Sequence, residues 1–390
     1  MNANTSPLPF LTFGAPNLHQ TEIDEVIDSL RSGWIGTGPK VARFEEAIAT
    51  YKGVPTENVA ALNSCTAALH VSMIAAGLGP GDEVITTALT FSATANAIIH
   101  SGATPVLADV DAATMNIDPA SIAERITSRT RAIVPVHFAG RPCDMDAIMA
   151  IAERHDLEVI EDCAHAIETE YKGRKAGTFG AFGCFSFYVT KNVTTGEGGA
   201  VIARDPDAIG RIKVLSLHGM SRDAWHRFSD AGYKHYYVTE AGFKYNMMDL
   251  QAAIGIHQLR RVEANWQRRR EIWRRYRSEL AALPIGLPAP EPADGRHAYH
   301  LFPLLIDLER AGLSRDAFLQ GMTDAGIGVG VHYQSLAVHP YYQERFGWRP
   351  EEQPNAWRIG RQTVSIPLSP GLSDEDVGRV VGTVRDLVGG

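Results

Sequence analysis

One lysine stands out by its surroundings. In Cys184-Phe-Ser-Phe-Tyr-Val-Thr-Lys191-Asn-Val-Thr-Thr-Gly-Glu-Gly-Gly it sits between a strand-like aromatic run and a turn rich in glycine. A partly buried lysine following a strand can have the lowered pKa and fixed position that an amine needs to condense with a carbonyl carbon. Alone, such a lysine is most often an ordinary surface group, but two other segments change the weighting. Val159-Ile-Glu-Asp-Cys-Ala-His-Ala ends an apolar strand in Glu161 and Asp162 and continues to His165. A carboxylate at a strand's carboxyl end can hold a cationic ring nitrogen; Asp162 can equally serve as a helix N-cap. Leu62-Asn-Ser-Cys-Thr-Ala-Ala-Leu-His opens a helical run with small hydroxylated residues. Free backbone N–H groups there, with hydroxyls from Ser64 or Thr66, form an anion site, although a lone Asn or Ser before a helix is usually only a cap. The order matters more than any one piece: anion cradle, carboxylate, lysine. It suits pyridoxal phosphate, whose protonated pyridine requires a carboxylate partner.

These groups need a scaffold that brings them to one place. Short apolar runs, Glu83-Val-Ile-Thr-Thr, Pro105-Val-Leu-Ala-Asp, Arg131-Ala-Ile-Val-Pro-Val, Leu157-Glu-Val-Ile-Glu-Asp and Gly199-Ala-Val-Ile-Ala, alternate with helical stretches such as Ser121 to Ile126 and Asp144 to Arg154. That is the α/β signature of a mainly parallel sheet, whose ligands gather at the carboxyl ends of the strands. From about Asp249 an Arg-rich helical stretch runs toward Leu283, and prolines at 284, 288, 290 and 292 then read as a linker to a smaller domain. Eight arginines lie between Arg260 and Arg277, interrupted by Glu263, Trp266, Glu271, Ile272 and Trp273. A solvated helix face is the better reading than a nucleic-acid arm.

Composition narrows the function classes. With 390 residues, 45% hydrophobic and 21% charged, the chain is long enough for two unequal domains and is not disordered. Its net charge of −8 argues against nucleic acid as the main partner. Four cysteines with no C-x-x-C pair suggest neither a disulfide framework nor a thiolate metal site. Without a readable signal peptide or an apolar run of about 18 residues, a cytoplasmic protein with no membrane segment is expected. Gly326-Ile-Gly-Val-Gly lacks a third glycine in register and reads as a strand edge, and the spacing of His332 and His339 has no ligation logic, so no metal is expected.

At this point the residues match a known family. The chain resembles, nearly end to end, the pyridoxal phosphate-dependent sugar aminotransferases of the DegT/DnrJ/EryC1/StrS family. The match runs from Ser32-Gly-Trp-Ile-Gly-Thr-Gly-Pro-Lys through Phe91-Ser-Ala-Thr-Ala-Asn-Ala to Ser365-Ile-Pro-Leu. The resemblance implies an α/β, type I (aspartate aminotransferase-like) fold. A large, mainly parallel-sheet domain at residues 1–255 would be followed by a connecting helix and smaller α/β domain at 256–390. It implies that Lys191 carries the cofactor covalently and that Asp162 pairs with the pyridinium. Phe91 stacks on one face of the ring, with Ala164 on the other and His165 nearby. Ser64, Ser186 and the backbone of Cys65 and Thr66 take the phosphate, and Asn246 reaches it from the second subunit of a homodimer. Many relatives have glycine where this chain has Cys65, and Asn-Tyr-Arg where it has Lys244-Tyr-Asn.

The implied reaction is a pair of half-transaminations from L-glutamate to a nucleotide-activated keto-sugar, with the cofactor alternating between its pyridoxal and pyridoxamine forms. The segments at His218 and Gly242 look most like the branch that makes UDP-4-amino-4-deoxy-arabinose or 4-amino-4,6-dideoxyhexoses. His218, Arg222 and Lys244 flank a tyrosine-bearing loop, Trp225 to Val238, that can close over the sugar and base or equally be an ordinary surface excursion; for Arg222 and Lys244 a surface salt bridge is an equal alternative. An aminocyclitol aminotransferase is the nearest competitor. Relatives that dehydrate a sugar with the same cofactor carry a histidine in place of the lysine, which Lys191 argues against. A regulator that merely binds the cofactor would not need Phe91, Asp162 and Lys191 in register.

Overall fold

The computed structural model describes residues 9–221 and 235–389. Its strands are β1 (Val59–Leu62), β2 (Glu83–Thr87), β3 (Thr104–Ala108), β4 (Thr130–Val134), β5 (Glu158–Asp162), β6 (Glu170–Tyr171), β7 (Arg174–Lys175), β8 (Phe182–Ser186), β9 (Gly199–Ala203), β10 (Gly295–Arg296), β11 (Phe302–Leu305) and β12 (Thr363–Ile366). Seven of them form the central sheet in the order β1-β9-β8-β5-β4-β2-β3. β9 runs antiparallel to both its neighbours, and every other pairing in the sheet is parallel. The expected mainly parallel α/β sheet is present. β1, β2, β4, β5 and β8 therefore end at the same edge. All residues of β1, β2 and β9 are buried, as strands covered on both faces must be.

The helices that matter for this edge are α1 (Gln20–Ser32), α2 (Pro39–Lys52), α3 (Cys65–Ala75) and α4 (Ser92–His100). Behind them come α5 (Pro119–Glu124), α6 (Met145–His155) and α7 (Pro206–Leu215). The expected crossovers at Ser121 to Ile126 and Asp144 to Arg154 are α5 and α6. Each is displaced by a residue or two because Asp118 and Asp144 cap them, accepting from Ala120 N and Ala147 N. α3 follows β1 after only two residues, and Ser64 caps it by accepting from Ala67 N at 3.1 Å. Its first turn lies against the start of β9. A Cβ on Gly199 would come within 2.5 Å of Ser64 and Cys65 backbone atoms, so this strand must open with glycine.

The stretch from Asp249 is two helices, α8 (Asp249–Arg260) and α9 (Val262–Glu279), broken at Arg261. Residue 255, the expected boundary, lies inside α8. Ala252, Ile256 and Leu259 of that helix join the apolar cluster of α2, β1 and β9, whereas Ile272, Trp273 and Tyr276 of α9 join a second cluster with β11, β12 and the helix α14 (Asp374–Val388). Of the arginine-rich stretch, expected to be a solvated face, Arg269 alone is buried and the other seven arginines are exposed or partly exposed. Arg269 is 1% exposed and paired with Glu168, Arg261 pairs with Glu22, and Arg268 with Asp374 at 2.7 Å. α9 runs from the first cluster, through Val262, into the second.

Candidate active site

At the shared edge the chain assembles the groups that the sequence singled out. Asp162 ends β5 almost fully buried. Its Oδ2 accepts from Thr94 Oγ1 at 2.8 Å and its Oδ1 from Ala164 N at 3.1 Å. Burial still dominates and pushes the Asp162 carboxyl above the ordinary aspartate range, although these donors and Lys191 oppose it. Lys191 lies in the loop after β8. Burial lowers its ammonium to about 8, against weaker support from Cys65 and Asp162. A neutral amine is therefore within reach near physiological pH, facing a carboxyl that lacks enough positive charge around it. Glu161, one residue earlier, points elsewhere. Its Oε1 accepts from Phe179 N and Gly180 N, and its Oε2 from Gly177 N and His137 Nε2. Burial raises its pKa, but these donors outweigh it and hold the carboxylate low.

The remaining expected residues fall at or beside this centre. Cys65 is buried and belongs to the main apolar cluster, with Cys184 and Val201. The first-turn N–H groups of α3 have no intrahelical acceptors, and Thr66 is exposed. Ser186 ends β8, with its Oγ accepting from Tyr188 N at 3.3 Å. Phe91 is the N-cap residue of α4, three residues from Thr94, and is 59% exposed, an apolar ring left open beside the buried carboxyl. Ala164 is partly buried. His165 Nδ1 accepts from Ala139 N at 3.2 Å and its Nε2 meets Tyr333 Oη at 3.0 Å. Burial, with Lys191 and His300 adding repulsion, holds the His165 imidazolium well below its usual pKa. Asn246 bridges Leu62 just before the cradle, and its Nδ2 donates to Thr37 Oγ1 at 2.6 Å within the same chain. His218 and Lys244 are exposed neighbours: His218 N donates to Phe243 O at 2.8 Å, and Leu217 bridges Lys244. Arg222, and the loop from Trp225 as far as residue 234, lie outside the described residues.

Sequence reasoning missed several groups around Lys191. Tyr333 and His300 come from far along the chain, and His332 was weighed only as a metal ligand. The His300 and His165 rings lie 4.4 Å apart, Tyr333 stacks on His165, and His332 is bonded through Nδ1 to Ser365 Oγ at 3.0 Å. Thr94 and Asn192 were in quoted segments, three residues past Phe91 and one past Lys191, and that adjacency was the only available signal. The lysine loop also borders a shallow recess lined by Gly14, Thr190, Asn192 and Arg269 among others.

The set of donors fits pyridoxal phosphate: a buried carboxyl short of a cation, a lowered lysine, an open aromatic face and a capped helix start with free N–H groups. A model of the DegT/DnrJ/EryC1/StrS aminotransferase family matches residues 16–385. The chain belongs to that family. It is 49% identical over 383 residues to the spore coat polysaccharide biosynthesis protein SpsC of Bacillus subtilis, with 98% of each chain covered. The Streptococcus pneumoniae protein Spr1654, classed as a sugar aminotransferase, has been solved in PLP and PMP forms. The PMP form superposes with a TM-score of 0.90 at 33% identity, covering 97% of this chain and 98% of that one. Helicobacter pylori PseC, an aminotransferase of pseudoaminic acid biosynthesis, gives 0.90 at 27% identity, covering 97% and 99%. This family member is thus an α/β, PLP-dependent sugar aminotransferase. No helix among the described residues is long and apolar enough to cross a membrane.

Proposed function

We propose that the enzyme transfers an amino group from L-glutamate to a nucleotide-activated keto-sugar, with Lys191 as the covalent anchor of the cofactor and the base that moves the proton. The observation that carries this reading is the opposition of Asp162 and Lys191: burial raises the carboxyl and lowers the amine within one site. Asp162 holds the ring nitrogen protonated, and Thr94 and the Ala164 N–H aim Asp162 and favour its ionised form. When bound, the cofactor supplies the electron sink that lets a proton leave the carbon bearing the transferred nitrogen. Lys191 Nζ accepts that proton and returns it to the adjoining carbon, general base and then general acid. Ser64, Ser186 and the backbone N–H groups of Cys65 and Thr66 hold the phosphate, with Asn246 contributed by the second subunit of a homodimer. Phe91 and Ala164 cover the two ring faces and His165 lies alongside.

On this reading His218, Lys244 and Arg222 meet the diphosphate of the acceptor. The names of two similar proteins, one of spore coat polysaccharide and one of pseudoaminic acid biosynthesis, support a carbohydrate acceptor. A cytoplasmic location and a two-unit organisation divided near residue 255 are proposed with it. The test is purified protein with glutamate against a panel of keto-sugar nucleotides and keto-cyclitols, read by mass spectrometry. Amination of one or more sugar nucleotides is expected. Amination of cyclitols alone would move the enzyme to the aminocyclitol branch, and efficient amination of pyruvate or oxaloacetate instead would overturn the substrate class.

A further inference from the structure

The residue after Lys191 is tied into a buried network that the reaction described so far does not use. Asn192 Nδ2 donates to Ala298 O at 3.0 Å and to Glu168 Oε2 at 2.9 Å. A backbone carbonyl can only accept, so the atom facing Ala298 is the amide nitrogen, which settles the orientation of the amide. Asn192 Oδ1 then faces His300 Nδ1 at 3.0 Å, and that ring nitrogen must carry the proton. Glu168 is fully buried and takes Arg269 on its other oxygen, so Asn192 is anchored to α9. The neighbouring ring is fixed the other way. His165 Nδ1 accepts from Ala139 N, so the neutral ring carries its proton on Nε2, toward Tyr333 Oη. Burial, with repulsion from Lys191, His332, Arg269 and His297, holds the His300 imidazolium well below its usual pKa, so the ring is neutral and Nε2 keeps its lone pair.

We propose that Asn192, anchored by Glu168 and Arg269, is a positioning residue that holds His300 as its Nδ1–H tautomer, so that His300 Nε2 is the acceptor this imidazole pair offers to the groups reacting at Lys191. The proposal rests on the reading of Lys191 as the reacting amine. It gives the two adjoining histidines distinct roles: His165 donates to Tyr333, and His300 keeps an acceptor nitrogen. Asn192 does not touch the reacting atoms; it acts through His300.

The test is long-range ¹H–¹⁵N correlation on holoenzyme labelled at histidine, with His300 assigned by the signal lost in His300→Gln. The wild type is expected to show a protonated Nδ1 and a bare Nε2. Asn192→Ala should give mixed tautomers or Nε2–H, and slow the glutamate half-reaction about tenfold with little change in KM, the worth of one hydrogen bond. Asn192→Asp keeps an acceptor for Nδ1–H, its new carboxyl sharing a proton with Glu168, and should restore both the tautomer and the rate to within about threefold. A wild-type ring protonated on Nε2 overturns the proposal whatever the variants do, including a failure of Asn192→Ala to fold. A restored tautomer without a restored rate overturns it too, as does a lowered melting temperature with tautomer and rate unchanged. Borohydride trapping separates the two levels: no pyridoxyl label on Lys191 refutes the proposed function, whereas a label there with the wrong His300 tautomer refutes this inference alone.

Discussion

Replacing Thr94 by valine removes one donor from Asp162 while leaving the shape of the site nearly unchanged. Thr94 is 1% exposed; its hydroxyl donates to Asp162 Oδ2 at 2.8 Å and accepts from Thr90 Oγ1 at 2.9 Å. A hydrogen bond to a charged group contributes about 1.5–3 kcal/mol, which at 1.36 kcal/mol per factor of ten corresponds to roughly 10- to 100-fold in rate. The donor favours the ionised form, so its loss moves the Asp162 carboxyl further up from a position that burial has already raised. Its hold on the ring nitrogen then weakens. Both half-reactions should slow by roughly 10- to 100-fold with KM little changed. Stopped-flow absorbance of each half-reaction reads this directly. Thr94→Ser keeps the hydroxyl and should stay within about threefold of wild type. Thr90→Ala controls for the lost neighbour. Rates within about twofold of wild type in Thr94→Val, or equal losses in the serine and valine variants, would refute the reasoning.

Asp162→Asn should retain some cofactor yet lose most turnover, since removing one member of a buried charged pair costs about 3–5 kcal/mol; near-normal turnover would remove Asp162 from the chemistry. Mixing Lys191→Ala with Asn246→Asp chains, each inactive, should restore activity through hybrids holding one intact site, and a dead mixture despite demonstrated subunit exchange would exclude a shared site. Arg222→Ala should raise the KM for the sugar nucleotide and leave the glutamate half-reaction unchanged; equal damage to both would put Arg222 at the cofactor. Acid should loosen α1. Burial works against Glu22 and Glu25, but Arg261 on the first, and His257, Lys40 and Arg43 on the second, hold both near about 2 against 4.5 unfolded. Their stabilisation, on the order of 3 kcal/mol each before solvent screening, is present above pH 4.5 and lost as pH falls toward 2. Glu22→Gln should flatten that part of the acid-unfolding curve, and an unchanged curve would dismiss the pair.

Much of the scaffold was legible because its signals are local. β2 and β9 coincide with the apolar runs read from the sequence, and β3, β4 and β5 fall within a residue or two of theirs. β1 was invisible as a strand: Val-Ala-Ala-Leu has no alternation and little β-propensity, and it is a strand because β9 pairs with it along its whole length. The break between α8 and α9 was equally hidden, since Arg261 carries no helix-stopping side chain. Its backbone departs from the helix where the chain leaves the packing of α1 and α2 for the second apolar cluster. Arg269 misled for a related reason: its charge suggested water, but its buried partner, Glu168, lies 101 positions away.

The site shows where local reading stops. Glu161 and Asp162 are adjacent, equally acidic and both buried, and on a strand adjacent side chains must point to opposite faces. The sequence therefore says that at most one of them can face Lys191, but a strand covered on both sides does not reveal which. The structure separates them by what waits on each face: three backbone N–H groups and His137 for Glu161, leaving its charge fully answered, and only Thr94 and one N–H for Asp162. Burial then acts on the two carboxyls in the same direction, and the number of donors decides the outcome, low for one and high for the other. The carboxyl with too few donors is the one able to take a cationic ligand, because a ring nitrogen brings the charge that the protein withheld. That distinction depends on donors from α4 and the loops around it, so no reading of the β5 segment by itself can supply it.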